Sequence, residues 1–181
     1  MRIRRIRESD REQLRNICLA QASARAREDP LYGQFTLAMY CEPYADMQEG
    51  FVLADEEDLA AGYVFCALTR QKHQKALEPY LPLMEALGEE YSQRVKGECQ
   101  MYDAFAEEYP SHLHIDILEA YTGQGYGTKL MNALLAYLKK QGSKGVMLGV
   151  GPHNLRGIRF YQHCGFEILY EDDGYVMGKK L

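Results

Sequence analysis

The run Tyr121-Thr122-Gly123-Gln124-Gly125-Tyr126-Gly127-Thr128 follows an apolar, strand-like stretch and opens an amphipathic helix. Three glycines in five positions leave the backbone N–H groups of a helix start uncovered by side chains. Such groups, with the positive end of the helix dipole behind them, hold a phosphate or pyrophosphate. Two familiar phosphate loops do not fit. A dinucleotide fingerprint begun at Gly123 requires Gly or Ala where Thr128 stands, and it belongs in a first βαβ unit, not late in a chain. A Walker loop requires Gly before Lys129, and that residue is again Thr128.

These residues need elements to position them. His112 to Leu118 alternates as a strand, with Leu113, Ile115 and Ile117 on one face and His112, His114, Asp116 and Leu118 on the other. After the glycine loop, Leu130, Met131, Leu134, Leu135 and Leu138 form a helical stripe that Gly142 closes. Val146 to Val150 reads as the next strand, and Asn154 caps a helix reaching about Cys164. Phe166–Tyr170 and Tyr175–Gly178 read as a closing hairpin. Upstream, Ile3–Ile6 is a short strand. Ser9 or Asp10 caps a helix carrying Leu14, Ile17, Cys18 and Ala22. A second helix is expected from about Thr36 to about Gln48, ended by Gly50. Phe51–Ala54 and Ala60–Leu68 then form a hairpin across an acidic turn. The segment from about Thr69 to Pro110 is charged, helical in composition and rich in tyrosine (Tyr80, Tyr91, Tyr102, Tyr109), and long insertions of this kind often carry specificity.

Gly125 and Gly127 match the pattern (Gln/Arg)-x-x-Gly-x-(Gly/Ala) between a strand and a helix. Asn154, then Phe160-Tyr161, then Cys164-Gly165-Phe166 match a second, separate pattern one strand later. Together these segments resemble the GNAT superfamily of acetyl-CoA-dependent N-acetyltransferases, and the order of elements agrees over nearly the whole chain. Two positions depart from the pattern: Thr122 stands at the Gln/Arg position, and Glu119 stands where many members have proline. The resemblance implies one α/β domain over residues 1–181. Its mixed, mostly antiparallel sheet would have six or seven strands, with the two central strands parting in a V, and residues 69–110 would be an insertion lining the acceptor pocket.

The same resemblance implies roles. Acetyl-CoA is the co-substrate, with its pyrophosphate on the backbone of Gln124, Gly125, Tyr126, Gly127 and Thr128. Its pantetheine arm lies along Ile117 and Leu118 toward Glu119, and an N–H near Ile117 faces the acetyl oxygen. Tyr161 sits beside the sulfur as a cofactor contact and is the general acid, since an unperturbed phenol is protonated at neutral pH. Asn154 is either a contact to the arm or a plain helix cap. Arg156 and Arg159 read as solvated helix charges, with the terminal phosphate of CoA as their alternative role. Asp116, His114 and His112 share the strand face nearest the reaction centre and are the candidate bases, His being closest to neutral without help. A relayed water or a residue of the 69–110 segment is an equal alternative. The two histidines suggest no metal, because no third ligand is evident. Cys164 reads as a structural thiol.

Composition sets the remaining bounds. A net charge of −5 disfavours nucleic acid. No apolar run spans a membrane, and the basic start lacks the apolar region of a signal peptide. Five scattered cysteines point to reduced thiols in a cytoplasmic compartment, not to a disulfide framework. The expected activity is direct acetyl transfer to a primary amine of a small molecule or peptide, without a metal, and a homodimer would be ordinary for the superfamily. A non-catalytic CoA-binding sensor or partner module is the rival reading.

Overall fold

A computed structural model describes residues 1–181. Strand β1 (Arg2–Arg5) leads into helices α1 (Arg11–Gln21), α2 (Ala24–Glu28), α3 (Pro30–Tyr40) and α4 (Glu42–Met47). Strands β2 (Gly50–Ala54) and β3 (Ala60–Ala67) form the expected hairpin. Helices α5 (Arg70–Leu77), α6 (Leu81–Leu87) and α7 (Glu89–Phe105) fill the tyrosine-rich segment before β4 (Ser111–Ile117). Helix α8 (Tyr126–Lys140), strand β5 (Gly145–Val150), helix α9 (Leu155–His163) and the hairpin of β6 (Glu167–Glu171) and β7 (Tyr175–Lys180) complete the chain. All seven strands lie in one sheet ordered β1-β2-β3-β4-β5-β7-β6. Every neighbouring pair is antiparallel except β4 and β5.

That one parallel pair is the feature that matters. Its ladder joins only Ser111 to Val146 and His112 to Met147. Past these pairs β4 and β5 diverge, which opens the expected V in the middle of the sheet. Packing on the two faces holds the opening apart. Leu130, Met131, Leu134 and Leu138 of α8 are fully buried against Leu53, Val64, Leu113 and Leu148. Burial of each such side chain contributes about 1.5–3 kcal/mol. Gly142, at φ +76°, turns the chain out of α8, and the Ser143 N–H closes the helix on Leu138 O at 3.1 Å. On the opposite face α1 and α4 cover Val52, Tyr63 and Phe65 with Leu14, Ile17 and Tyr44. The alternation of β4 therefore sends Leu113, Ile115 and Ile117 toward α8. His112, His114 and Asp116 go to the face of α1, α3 and α4.

Three local expectations are corrected. The helix expected over Thr36–Gln48 is two helices. The first begins earlier, at Pro30, where the Asp29 carboxylate accepts the N–H groups of Leu31 and Tyr32, and the break at Cys41 leaves Pro43 in the first turn of α4. Asp10 does not cap α1 with its side chain. Its carboxylate accepts the Arg7 N–H at 2.8 Å and pairs with Arg4 at 2.7 Å. Gly50 opens β2 and does not end a helix: a Cβ there would lie 2.1 Å from Val64 O, and φ is +145°.

Candidate active site

The open flank of β4 supplies backbone groups. The Leu118 N–H donates to Ala61 O at 3.0 Å, and Asp116 stands opposite Tyr63 in the β3–β4 register. Antiparallel alternation then turns the groups of Asp116 and Leu118 toward β3 and those of Ile115 and Ile117 into the V. Ile117, which the sequence reading placed along the arm, thus turns its backbone groups into the opening. The Leu118 N–H is already used and does not face the opening. Ile115, which that reading passed over, presents the second free set.

At one end of this flank lies the glycine loop. The N–H groups from Gly123 through Thr128 find no acceptor within the protein, and the first helical bond of α8 is Lys129 N–H to Gly125 O at 3.2 Å. Gly123 and Gly125 have φ of +73° and +79°, and a Cβ on either would point into open space. At Gly127 a Cβ would sit 3.1 Å from the Phe160 ring, so the helix start can approach α9 this closely only without a side chain. The side chains of Thr122 and Gln124 fold back on the turn, donating to Glu119 O and Ala120 O, both at 2.9 Å, and leave the amides clear. Exposed Glu119 pairs with Arg156 of α9 at 3.3 Å across the mouth of the V. Asn154 caps α9 through the Gly157 N–H at 2.8 Å and also borders the cavity described next. Arg159 is exposed.

The other end of the V opens into a cavity of about 1010 Å³. Tyr161 reaches it from α9 and Asp116 and His114 from β4. Cys18 comes from α1, Tyr40 from α3, and Glu98 and Tyr102 from α7. The Tyr161 hydroxyl makes no hydrogen bond within the protein and is not sealed from the cavity. Burial, with the Asp116 carboxylate nearby, pushes it above the ordinary phenol value, so it stays protonated. Asp116 Oδ2 accepts the Tyr63 hydroxyl at 2.6 Å and faces His114 Nε2 at 3.0 Å. Its Oδ1 has no partner in the protein. Burial pulls the His114 imidazole down, but Asp116, helped by Cys18, outweighs it and pushes the ring up to about 10. His114 is therefore no neutral base at pH 7, a correction to the reason for choosing it.

His112 parts company with His114. It is fully buried, its Nδ1 2.8 Å from the Tyr44 hydroxyl and its ring against His73 and Tyr102. Burial, with His73 and Arg70 close by, holds it well below its ordinary value, and it does not border the cavity. The ground for dismissing a metal is also corrected: Cys18, invisible as a partner in the sequence, brings its sulfur within 4.8 Å of donor atoms of His114 and Asp116. The Cys18 thiol is itself pushed well up by its contact with Cys41 and by burial, which disfavours the thiolate a metal takes. Of the tyrosines in the 69–110 segment only Tyr102 borders the cavity; Tyr80 and Tyr91 pack against α3, α6 and α7, and Tyr109 packs near Met147.

The sequence model of the acetyltransferase (GNAT) family matches residues 11–166. The chain belongs to the GNAT family. Among solved structures, SsHAT resembles this GNAT chain with 28% identity and a TM-score of 0.85, over 99% of this chain and 97% of that one. The PaiA N-acetyltransferase of Thermoplasma acidophilum, solved in complex with coenzyme A, shares the fold at 15% identity and a TM-score of 0.65, over 99% and 98% of the two chains. The uncharacterized N-acetyltransferase MJ1207 of Methanocaldococcus jannaschii is 45% identical over 47 residues, which are 26% of this chain and 21% of that protein. The matched stretch is thus about a fifth of that relative's length.

The GNAT co-substrate fits what this chain offers. Unclaimed amides from Gly123 to Thr128 suit a pyrophosphate, and the unpaired edge of Ile115 and Ile117 suits an amide-bearing arm. What sequence reasoning missed in this GNAT site came from elements far away in the chain: Cys18, Tyr40, Tyr63 and Glu98. Tyr63 carried a faint signal as the lone polar side chain in the apolar run of β3. Glu98 carried none, being one acid among many on a charged helix.

Proposed function

We propose that this chain transfers an acetyl group from acetyl-CoA to an amine by direct attack in a ternary complex. The observation that carries this reading is the succession along β4 of three features: Tyr161 beside Asp116–His114 in the cavity, the backbone edge of Ile115 and Ile117 freed from β5, and the bare amide loop that follows the strand. Acetyl-CoA supplies the thioester carbonyl. The loop amides hold its phosphates, and Ile115 and Ile117 orient its arm, with an Ile117 or Ile115 N–H as donor to the carbonyl oxygen. Asp116 Oδ1 receives a hydrogen bond from the incoming amine, and the Asp116–His114 pair takes up its proton. Tyr161 returns a proton to the departing sulfur. No metal takes part in this scheme, so chelators should leave the rate unchanged.

Calorimetric titration with acetyl-CoA, with NADH and ATP as controls, tests the cradle, and turnover with a panel of amines tests the transfer. Saturable binding of acetyl-CoA alone and acetylation of an amine are the expected results. Binding without turnover of any amine would favour a CoA-binding sensor or partner module instead.

A further inference from the structure

Glu98 projects from α7 into the same cavity as Asp116, well away from the glycine loop. Its Oε2 accepts the Tyr40 hydroxyl at 2.6 Å, and the Tyr102 hydroxyl stands 3.5 Å from Oε1. No Lys, Arg or His nitrogen comes within ion-pair distance of it, although most acidic side chains near α1, α4 and β1 are paired. Arg94 borders the cavity too, but its guanidinium lies over the rings of Tyr32 and Phe35, 5.6 and 5.8 Å from their centroids. Burial pushes the Glu98 carboxyl up, while the Tyr40 hydroxyl, Arg94 and His114 act the other way, the two cations from beyond ion-pair distance. A carboxylate buried in an aromatic wall without an ion-pair partner is costly, and an ammonium group arriving against it offsets that cost. The rings of Tyr40 and Tyr102 border the cavity as well and attract an ammonium group.

Position completes the argument. Tyr40 stands between Glu98 and the reacting pair: its hydroxyl meets Glu98, and its ring stacks on His114 with centroids 5.7 Å apart. The stacked rings of Tyr40 and His114 thus stand between the two carboxylates of Glu98 and Asp116, which a flexible alkyl chain with an amine at each end can bridge. Asp172 and Asp173, in the β6–β7 turn, border the cavity as well and add to its negative potential.

We propose that the acceptor is an α,ω-diamine, or the aminoalkyl end of a longer polyamine, with one amine at Asp116 for acetylation and the other held as an ammonium by Glu98. The proposal rests on the acetyl-transfer reading for the first amine only; the Glu98 subsite is readable without it. It predicts selection against an acceptor of the same length whose far end is a carboxylate.

The test compares diaminopropane through diaminohexane with butylamine and aminobutyrate, in wild type, Glu98→Gln and Tyr40→Phe. A charge-assisted contact of this kind corresponds to about tenfold or more in affinity. The best diamine is expected to show KM about tenfold or more below butylamine, and aminobutyrate to be the poorest. Glu98→Gln should raise KM for the diamine by about that factor while KM for butylamine and kcat for both change little, and Tyr40→Phe should shift the diamine KM in the same direction. Calorimetric titration of the best-fitting diamine into each protein reads the subsite without turnover. Diamine binding that Glu98→Gln weakens about tenfold or more supports the subsite even if no amine is acetylated, in which case the acetyl-transfer reading alone fails. No diamine binding to the wild type, or equal losses for diamine and butylamine in Glu98→Gln, overturns the proposal.

Discussion

Tyr161 and His114 bear opposite relations to pH. Burial keeps the Tyr161 hydroxyl protonated well into the alkaline range, so it has a proton to give wherever the enzyme works. Tyr161→Phe is expected to lower kcat about a hundredfold or more while leaving the affinity for acetyl-CoA nearly unchanged, as measured by steady-state kinetics beside calorimetry. An unaltered kcat would remove Tyr161 from proton transfer. His114, raised to about 10, is protonated at neutrality, and its capacity to take a proton grows as pH rises toward that value. Accordingly kcat/KM should climb from neutral pH to about pH 10. His114→Gln should lower that climb and flatten the part not due to deprotonation of the amine itself; an identical profile in the variant would exclude the imidazole. At this scale the sequence showed residue types and alternation. It could not show that Asp116 shares its Oδ2 between Tyr63 and His114, because Tyr63 is 53 residues away.

Two elements make the cleft: a helix that starts without a side-chain cap and a strand that loses its neighbour. Gly125 serves the first. Its φ of +79° is easily adopted by glycine, and the space beyond its Cα is empty of protein. Gly125→Val should abolish acetyl-CoA binding in calorimetry and cost about 1–2 kcal/mol of stability from backbone strain, with the core untouched. Retained binding would place the phosphates elsewhere. The spacing of Gly125 and Gly127 made this loop legible from the chain alone. The parting of β4 from β5 was legible only through resemblance to a family, since nothing in His112–Leu118 marks where a ladder stops. Similarly, composition marked residues 69–110 as helical, yet which face of α7 lines the cavity depends on how α7 packs.

The whole molecule adds a dependence on acid that no single element predicts. His73 and His112 are packed against each other beneath Tyr44 and Tyr102, with Arg70 2.9 Å from His73 Nδ1. Burial first, and Arg70 next, lower His73 to about 3, and His112 is lowered in the same direction. An unfolded imidazole titrates near 6.5, so below that pH the unfolded chain binds protons that the folded chain refuses. Stability is therefore expected to fall as pH drops from 6.5 toward 3, by an amount on the order of a few kcal/mol. His73→Gln keeps an acceptor for Arg70 but does not titrate, and should make the decline of Tm with acid shallower; an unchanged slope would clear His73 of the effect. The sequence by itself determined the order of the strands and the placing of α1, α8 and α9 among them, the amide loop at Gly123–Thr128, the buried stripe of α8 and the chemistry available at Tyr161 and on the polar face of β4. Those features are local, set by backbone freedom and side-chain periodicity over a few residues. Only the tertiary structure decided that β4 and β5 part, that Leu118 faces away while Ile115 faces the opening, and that Cys18, Tyr40, Tyr63 and Glu98 gather around Asp116 and His114. Such meetings depend on how helices seat on a twisted sheet, and that packing fixes charge, burial and proton affinity through contacts between residues distant in the chain.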